Sequence, residues 1–586
     1  MTIGNAILTK EQQACVNYSG RDCVVRGVAG SGKSYVLLRR AVKLNAESKG
    51  KESIYIFMYN GSLVRYTDEI LKDGLEGTTI KISTVDKYCV NLYNNIRGKI
   101  NRFKAVKDEE RIRIIESTLR SVRMKEQPSL KNHRFYSLST TFWKEEFEWI
   151  KGMNIQSEAE YVSSNRRGRG GQIKMNERDK GLAWTFFSEY KNRMERSRKN
   201  DWEDIYIYLL RNFEKIPKSY YIDHILIDEA QDLTLAKVKL MRMLSMKSFT
   251  IAADVAQKIY KTTFSWKEVG VEVLGSGSRK LSKSFRSTEQ IILLAEDLLS
   301  RNRVRGDREE YTKAVIPEVQ GPKPLLVDCN GKDDEIVLTM VKTFLKAYPE
   351  DTIAIVYRTN SETTKAKRWL EMHGIDSQVI TKKDDEKVSI LGPGVKLVTA
   401  HSSKGLEFDC VIICRLNEGN YPSSLEMADA DDKEEMLCIE RSLLYVAMTR
   451  AKHILMMSYD RVKRSSFVDE FDDCHYKTIR YPEDNIVIKG VVNVGLDFER
   501  IVTSIDDKTR NSSVQKKSSI QKGKEQENTY SKKKESIRIG ARVYDKRNGE
   551  GRIIKMNGER ITVQYKRAVK SYNFENALKA GTIKCL

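Results

Sequence analysis

Long apolar runs are missing from this chain. No segment offers the roughly 18 consecutive apolar residues that a membrane helix needs. Residues 1–13 lack the apolar core of a signal peptide. The expectation is a cytoplasmic protein with no membrane partner. Cysteine is sparse as well: nine in 586 residues, without the paired spacing of a zinc site or a disulfide framework. Such cysteines suit a reducing compartment. Cys410 and Cys414 flank the apolar run Val411-Ile412-Ile413 and read as core. No nuclease motif is visible, so strand cleavage would need another chain.

What the chain has is length and positive charge. At 586 residues it exceeds a single core, and several domains are expected. Its 40% hydrophobic content suffices for folded α/β domains. A net charge of +22 favours polyanionic partners and salt-dependent binding. A Lys-rich tail accounts for part of that excess.

The stretch Gly27-Val28-Ala29-Gly30-Ser31-Gly32-Lys33-Ser34 has the form G-x-x-x-x-G-K-S. It follows the apolar run Cys23-Val24-Val25 and opens a helical pattern, Val36, Leu37, Leu38, Ala41 and Val42. Strand, Gly-rich loop and helix is the context of a phosphate-binding P-loop. Gly27, Gly30 and Gly32 let the backbone curl until N–H groups of the loop, Ser31 included, face phosphate oxygens. The helix adds its positive dipole end. Lys33 would reach the β- and γ-phosphates, and the Ser34 hydroxyl would ligate Mg²⁺. The cofactors implied are ATP and Mg²⁺.

Downstream, His224-Ile225-Leu226-Ile227 is an apolar strand that ends in Asp228 and Glu229. Ligands of α/β sheets sit at such carboxyl ends. Asp228 becomes the Mg²⁺-side carboxylate and Glu229 the group that polarises water. The same letters would also serve a helix N-cap with an acidic first turn.

With these two motifs in place, the chain resembles the UvrD/PcrA/Rep group of superfamily one helicases. Leu8-Thr9-Lys10-Glu11-Gln12 resembles that family's Q motif, and Ala253-Asp254-Val255-Ala256-Gln257-Lys258-Ile259-Tyr260 its G-D-x-x-Q-x-I-Y motif. Ser284-Phe285-Arg286-Ser287-Thr288 resembles N-Y-R-S-T. Thr399-Ala400-His401-Ser402-Ser403-Lys404-Gly405-Leu406-Glu407-Phe408 resembles T-x-H-x-x-K-G-L-E-F. Tyr445-Val446-Ala447-Met448-Thr449-Arg450-Ala451 resembles Y-V-A-x-T-R-A.

The resemblance implies roles. Gln12 would read the adenine edge, and Gln257 would sense the γ-phosphate. Tyr35 stands where the family has an adenine-stacking Arg, and Phe285 would cover the other face. Glu407 would contact nucleotide. Arg286 and Arg450 would be arginine fingers from a second motor domain; a guanidinium inserted among γ-oxygens lowers the barrier. Their bland alternative is surface pairing or helix capping. Strand contacts would come from Asn60, Thr84, Tyr260, Phe264, Trp266 and His401. The family's Y-R-W-R-G-A box is altered to Tyr260-Lys261-Thr262-Thr263-Phe264-Ser265-Trp266, so Trp266 reads nearly as well as core.

The expected architecture is α/β, with two RecA-like P-loop motor domains. Residues 1–89 and 216–273 form the first, interrupted by a helical inserted subdomain at 90–215. Within it, Trp143, Phe147, Trp149 and Ile150 read as core rather than a base-stacking platform. The basic loop 166–171 could grip phosphate or be a solvated turn. Residues 274–490 form the second motor domain. The family's large second insertion, 2B, is reduced to a short polar link at 381–393, which puts duplex engagement in doubt. Residues 505–536 are Lys-, Ser- and Gln-rich and read as a disordered linker. Residues 537–586 read as a small β module with Asn548-Gly549 and Asn557-Gly558 turns, resembling an SH3/Tudor-like barrel.

The function implied is an ATP-dependent translocase or helicase on single-stranded DNA, 3′→5′, with tailed duplex or RNA as other substrates. Two alternatives remain open. One is a remodelling ATPase docked on RNA polymerase through the C-terminal module. The other is a motor serving a partner nuclease in a repair or phage-defence assembly.

Overall fold

The computed structural model describes residues 8–480 apart from 60, 62, 66, 68–78, 99–101, 126–131, 167–174, 255–263, 272–276, 303–314, 381–391 and 424–429, and, beyond them, residues 542–545, 549–557, 560–565, 569–573 and 583–585. The chain divides into two compact units, Met1–Ile505 and Asp506–Leu586.

Helix α1 (Lys10–Val16) opens on a capping box. The Gln12 N–H donates to Thr9 Oγ1 at 3.2 Å, and the Thr9 N–H donates to Gln12 Oε1 at 3.0 Å. β1 (Asp22–Gly27) leads through the Gly-rich loop into α2 (Lys33–Glu47), followed by β2 (Ile54–Met58) and β3 (Ile80–Thr84). A helical segment comes next: α3 (Val85–Arg97), α4 (Asp108–Lys125), α5 (Thr140–Gly152), α6 (Glu158–Ser163), α7 (Glu177–Arg196) and α8 (Trp202–Arg211). The chain returns as β4 (Ile222–Ile227), α9 (Leu235–Leu244), β5 (Ser245–Ala253) and β6 (Ser278–Leu281).

The first sheet has the order β3-β2-β4-β5-β1-β6, with every pair parallel. Parallel strands are covered on both faces, which is why β4 reads as a continuous apolar run. β5 lies between β1 and β4. The Gly-rich loop after β1, Asp228 after β4 and Asp254 after β5 therefore share one edge of the sheet. β6 pairs with β1, so the first sheet extends to Leu281, past the boundary expected at 274. Ser278-Arg279-Lys280-Leu281 is too short and too polar to announce itself as a strand.

The aromatic cluster of α5 is core: Trp143, Phe147 and Ile150 are fully buried, and Phe147 stacks on Tyr190 with centroids 4.7 Å apart. Arg166 pairs with the buried Glu146 instead of facing outward. The rest of the basic loop lies outside the described residues.

The second sheet follows α10 (Glu289–Ser300). Its elements are β7 (Leu325–Asp328), α11 (Asp333–Ala347), β8 (Thr352–Tyr357), α12 (Asn360–Met372), β9 (Ser377–Val379), β10 (Gly394–Thr399), β11 (Phe408–Ile413), α13 (Ala430–Met448), β12 (Ala451–Tyr459) and β13 (Lys477–Arg480). The order is β13-β7-β12-β11-β8-β10-β9, again all parallel. Two parallel sheets flanked by helices make an α/β architecture consistent with two RecA-like domains. Cys410 and Cys414 are buried in the second core. Only residues 380–393 separate β9 from β10, where a second insertion would enter. Among the described residues no helix is long and apolar enough to cross a membrane.

The C-terminal unit holds β14 (Arg542–Asp545), β15 (Gly549–Asn557), β16 (Arg560–Tyr565), β17 (Val569–Asn573) and β18 (Ile583–Cys585). They form an antiparallel sheet of order β17-β16-β15-β14-β18. β18 had no counterpart among the strands expected from sequence. The linker expected at 505–536 lies outside the described residues.

Candidate nucleotide site

The Gly-rich loop is shaped by backbone that other residues adopt at a cost. Gly30 and Gly32 have φ of +70° and +81°. A Cβ on Gly30 would stand 2.6 Å from Arg286 Cβ, and one on Gly32 would stand 2.9 Å from Gln12 Nε2. The loop is therefore pressed between α1 and the segment that carries Arg286. The Phe285 N–H closes that contact by donating to Gly30 O at 2.9 Å.

Lys33 is buried and its ammonium is fully engaged. It donates to Gly27 O at 2.8 Å, to Val28 O at 3.0 Å and to Asp254 Oδ2 at 3.1 Å. Three donors meet three acceptors, so a phosphate at Lys33 would have to displace one of them. The Ser34 hydroxyl donates to Asp228 Oδ2. Ser31 Oγ and Ser284 Oγ are buried beside the loop with no hydrogen-bond partner among the described residues.

Asp228 and Glu229 are adjacent, buried and driven apart electrostatically. Burial, then the charge of Glu229, pushes the Asp228 carboxyl up to about 6. For Glu229 burial acts the same way, but Lys404, Lys33 and Arg450 outweigh it and hold the carboxyl below its usual range. Glu229 has φ +51°, rare for a residue with a Cβ, and Gln231 Nε2 donates to its Oε2.

The second sheet contributes cations. Lys404, after β10, lies 2.7 Å from Asp232 and 3.7 Å from Glu229. Arg286 Nε donates to Glu407 Oε1 at 2.7 Å, and its Nη1 to Thr449 O at 3.3 Å. Glu407 is held low: Arg286 overcomes the effect of burial. Arg450 is 1% exposed and donates to Val446 O at 2.8 Å and Leu406 O at 3.3 Å. Burial, then the like charge of Arg286, pushes the Arg450 guanidinium down.

Most of the nucleotide-side residues named from sequence thus meet around one loop. Gln12 does so in a different way from the adenine contact expected: its Nε2 donates to Ser31 O at 3.1 Å, and its Oε1 is taken by Thr9. Tyr35 lies under the Arg39 guanidinium at 5.9 Å, and Phe285 is 51% exposed. The strand-side residues are scattered. Thr84 caps α3, accepting from the Lys87 N–H at 3.1 Å. Phe264 and Trp266 meet edge-to-face at 5.6 Å and pack against the first core. His401 is half-buried just after β10. Asn60, Gln257 and Tyr260 lie outside the described residues.

Asp232, Asp254 and Lys404 were not assigned roles from sequence. Asp254 and Lys404 lie inside quoted motifs and Asp232 three residues past Glu229, yet no spacing rule says that a lysine in one sheet will face two acids in the other. An acid directly after an apolar strand is the signal that would have found Asp254.

The profile of the UvrD/REP helicase N-terminal domain matches residues 8–268. That of the UvrD-like helicase C-terminal domain matches residues 377–462. The chain belongs to the UvrD-like group of superfamily one helicases. A "probable DNA helicase" of Mycoplasma pneumoniae is 26% identical over 294 residues, covering 47% of this chain and 51% of that protein. The ATP-dependent DNA helicase PcrA of Staphylococcus epidermidis is 21% identical over 386 residues, 61% of this chain and 48% of PcrA. The chain spans about half the length, or less, of the curated relatives it matches. A solved C-terminal domain of a possible DNA helicase from Lactobacillus plantarum is 23% identical, covering 33% of this chain and 98% of that one, with a TM-score of 0.24. UvrD/PcrA-like helicases are ATP-hydrolysing enzymes.

Proposed function

We propose that this chain is an ATP-driven motor that moves 3′→5′ along single-stranded DNA. One observation carries the reading: Lys33 and Glu229 from the first sheet and Arg286, Lys404 and Arg450 from the second converge on one loop. Phosphoryl transfer is catalysed by positioning and charge, and this is a ring of charge around a phosphate cradle.

The residues fit ATP and Mg²⁺. Ser31 and Ser284 offer buried hydroxyls beside the loop, and Gly27, Gly30 and Gly32 keep Cβ atoms out of it. Ser34 and Asp228 would hold Mg²⁺, and Lys33 the phosphates. When bound, Mg²⁺-ATP supplies the transferable phosphoryl group. Glu229, kept ionised by Lys404 and Lys33, accepts a proton from the attacking water. Arg286 and Arg450 would bring positive charge to the γ-oxygens. Because they sit with the second sheet, closing the two lobes completes the site and hydrolysis loosens it. That coupling moves the lobes along a strand.

The C-terminal sheet supports a second element of the reading. A compact unit of its own suits a Tudor-like docking module for RNA polymerase or another partner.

The deciding assay is ATPase rate with single-stranded DNA, blunt duplex, tailed duplex and RNA, each across a salt series. The motor reading requires strong stimulation by single-stranded DNA that weakens with salt. It also requires Lys33→Ala and Glu229→Gln to abolish turnover. Equal rates with and without nucleic acid would overturn it. Retention of the C-terminal unit by RNA polymerase would add the docking role.

A further inference from the structure

Away from the nucleotide site, one turn gathers three metal-ligating side chains of different chemistry. Asp472, Cys474 and His475 lie just before β13, and their ligand atoms fall within 4.8 Å of one another. The turn is folded by its own backbone. The Cys474 N–H donates to Asp472 Oδ1 at 2.9 Å, and the His475 N–H to Asp472 O at 2.9 Å.

A fourth residue comes from a different element. Asp297 on α10 accepts from the Asp472 N–H at 3.1 Å and from His475 Nδ1 at 2.6 Å. An ionised carboxylate only accepts, so Nδ1 carries the proton. In the neutral ring Nε2 then keeps its lone pair. A carboxylate on one ring nitrogen orients metal-binding histidines in general, and here it would leave Nε2 as the ligand.

We propose that Asp472, Cys474 and His475 form a zinc site on the second motor lobe, with Asp297 as the positioning carboxylate. The donor set selects the metal. Thiolate, imidazole and carboxylate suit Zn²⁺, whereas Mg²⁺ and Ca²⁺ take oxygen ligands. Three protein ligands leave the fourth tetrahedral position to water. A divalent ion binds the thiolate, so binding would release the thiol proton to solvent.

The position gives the ion a structural task. β13 is a four-residue strand at the edge of the sheet, where it pairs with β7. Phe471 and Tyr476 pack on the second core on either side of the turn, and Asp297 ties the turn itself to α10. Zinc would lock that turn and so fix the last strand of the sheet. The same contacts without an ion describe a plain hydrogen-bonded turn, which is the outcome that defeats the proposal.

The test uses the full chain, stripped with a chelator and kept free of Mg²⁺ and nucleotide. Zn²⁺ alone is titrated by calorimetry and Co²⁺ alone by absorption. The expected result is one tight equivalent of Zn²⁺ and a thiolate-to-Co²⁺ charge-transfer band. Cys474 is exposed, and loss of the band in Cys474→Ser would assign it to this turn. Cys474→Ser and His475→Ala should remove the tight equivalent, and Asp297→Asn should weaken it by roughly 10–100-fold. Unchanged ATPase activity in Cys474→Ser confirms that the variant folds. No stoichiometric Zn²⁺ binding, or the same binding and absorption in Cys474→Ser, overturns the site.

Discussion

Lys404 of the second sheet stands 2.7 Å from Asp232 of the first, with both side chains buried. The same ammonium lies 3.7 Å from Glu229. One cation therefore neutralises two carboxylates across the boundary between the sheets. Removing a partner from a buried pair leaves charge without solvent or counter-ion. Lys404→Ala should lower stability by about 3–5 kcal/mol in urea unfolding. Asp232→Asn on that background should restore part of the loss, because it removes one of the stranded acids. Strictly additive effects in the double-mutant cycle would show that the two groups are not coupled.

The arginines separate chemistry from binding. Arg286 lies against Gly30, and Arg450 is near enough to Glu229 to hold its carboxyl down. Arg450→Ala should reduce kcat by about 10³-fold or more while nucleotide affinity changes little. Lysine cannot copy the guanidinium fork, so Arg450→Lys should not restore the rate. Its bonds to Val446 O and Leu406 O make a fold control necessary. Loss of nucleotide binding together with a lower melting point would assign Arg450 to structure alone.

The nucleotide half of the site was legible because its chemistry is local. A Gly-rich loop between a strand and a helix, and acids directly after an apolar strand, are short patterns with one physical purpose. The parallel sheets were legible for a related reason: strands buried on both faces, such as Ile225-Leu226-Ile227, leave continuous apolar runs. Lys404 was not legible, since its partners are set by how two sheets meet. Gln12 shows a subtler limit. The motif marks it as important but does not say that its amide will clasp Ser31 O. β6 escaped notice because an edge strand with a solvent-facing side needs few apolar residues. Thr84 is expected as a strand contact, and its described contact is the cap of α3.

A buried polar clamp in the helical segment makes acid sensitivity predictable. Asp201 is bound by Lys151 at 2.6 Å and by Arg111 at 3.1 Å. Burial would raise its carboxyl, but the two cations outweigh that and hold it below the usual range. A lowered folded value means that the clamp stabilises fully above the unfolded value near 4. The contribution fades as pH drops through the folded value. Lys151→Met removes one cation and shifts that fade upward. Acid titration followed by near-ultraviolet circular dichroism should show a higher unfolding midpoint, with about 3–5 kcal/mol lost at neutral pH. An unchanged acid midpoint would mean that Asp201 draws its ionisation from other groups.

The C-terminal unit should be separable from the motor. Among the described residues its strands form an antiparallel sheet of their own. A domain with its own sheet can be removed without opening another core. Deleting residues 537–586 should leave the ATPase stimulated by single-stranded DNA within about twofold of the full chain. Capture of a partner through the module should be lost in the same preparation. The two readouts divide the possibilities cleanly. Intact ATPase with lost capture assigns the sheet to docking. A collapsed ATPase, with the deleted chain still folded by circular dichroism, would instead make the sheet part of the engine, and the stimulation series across salt would then show whether it acts by holding the strand.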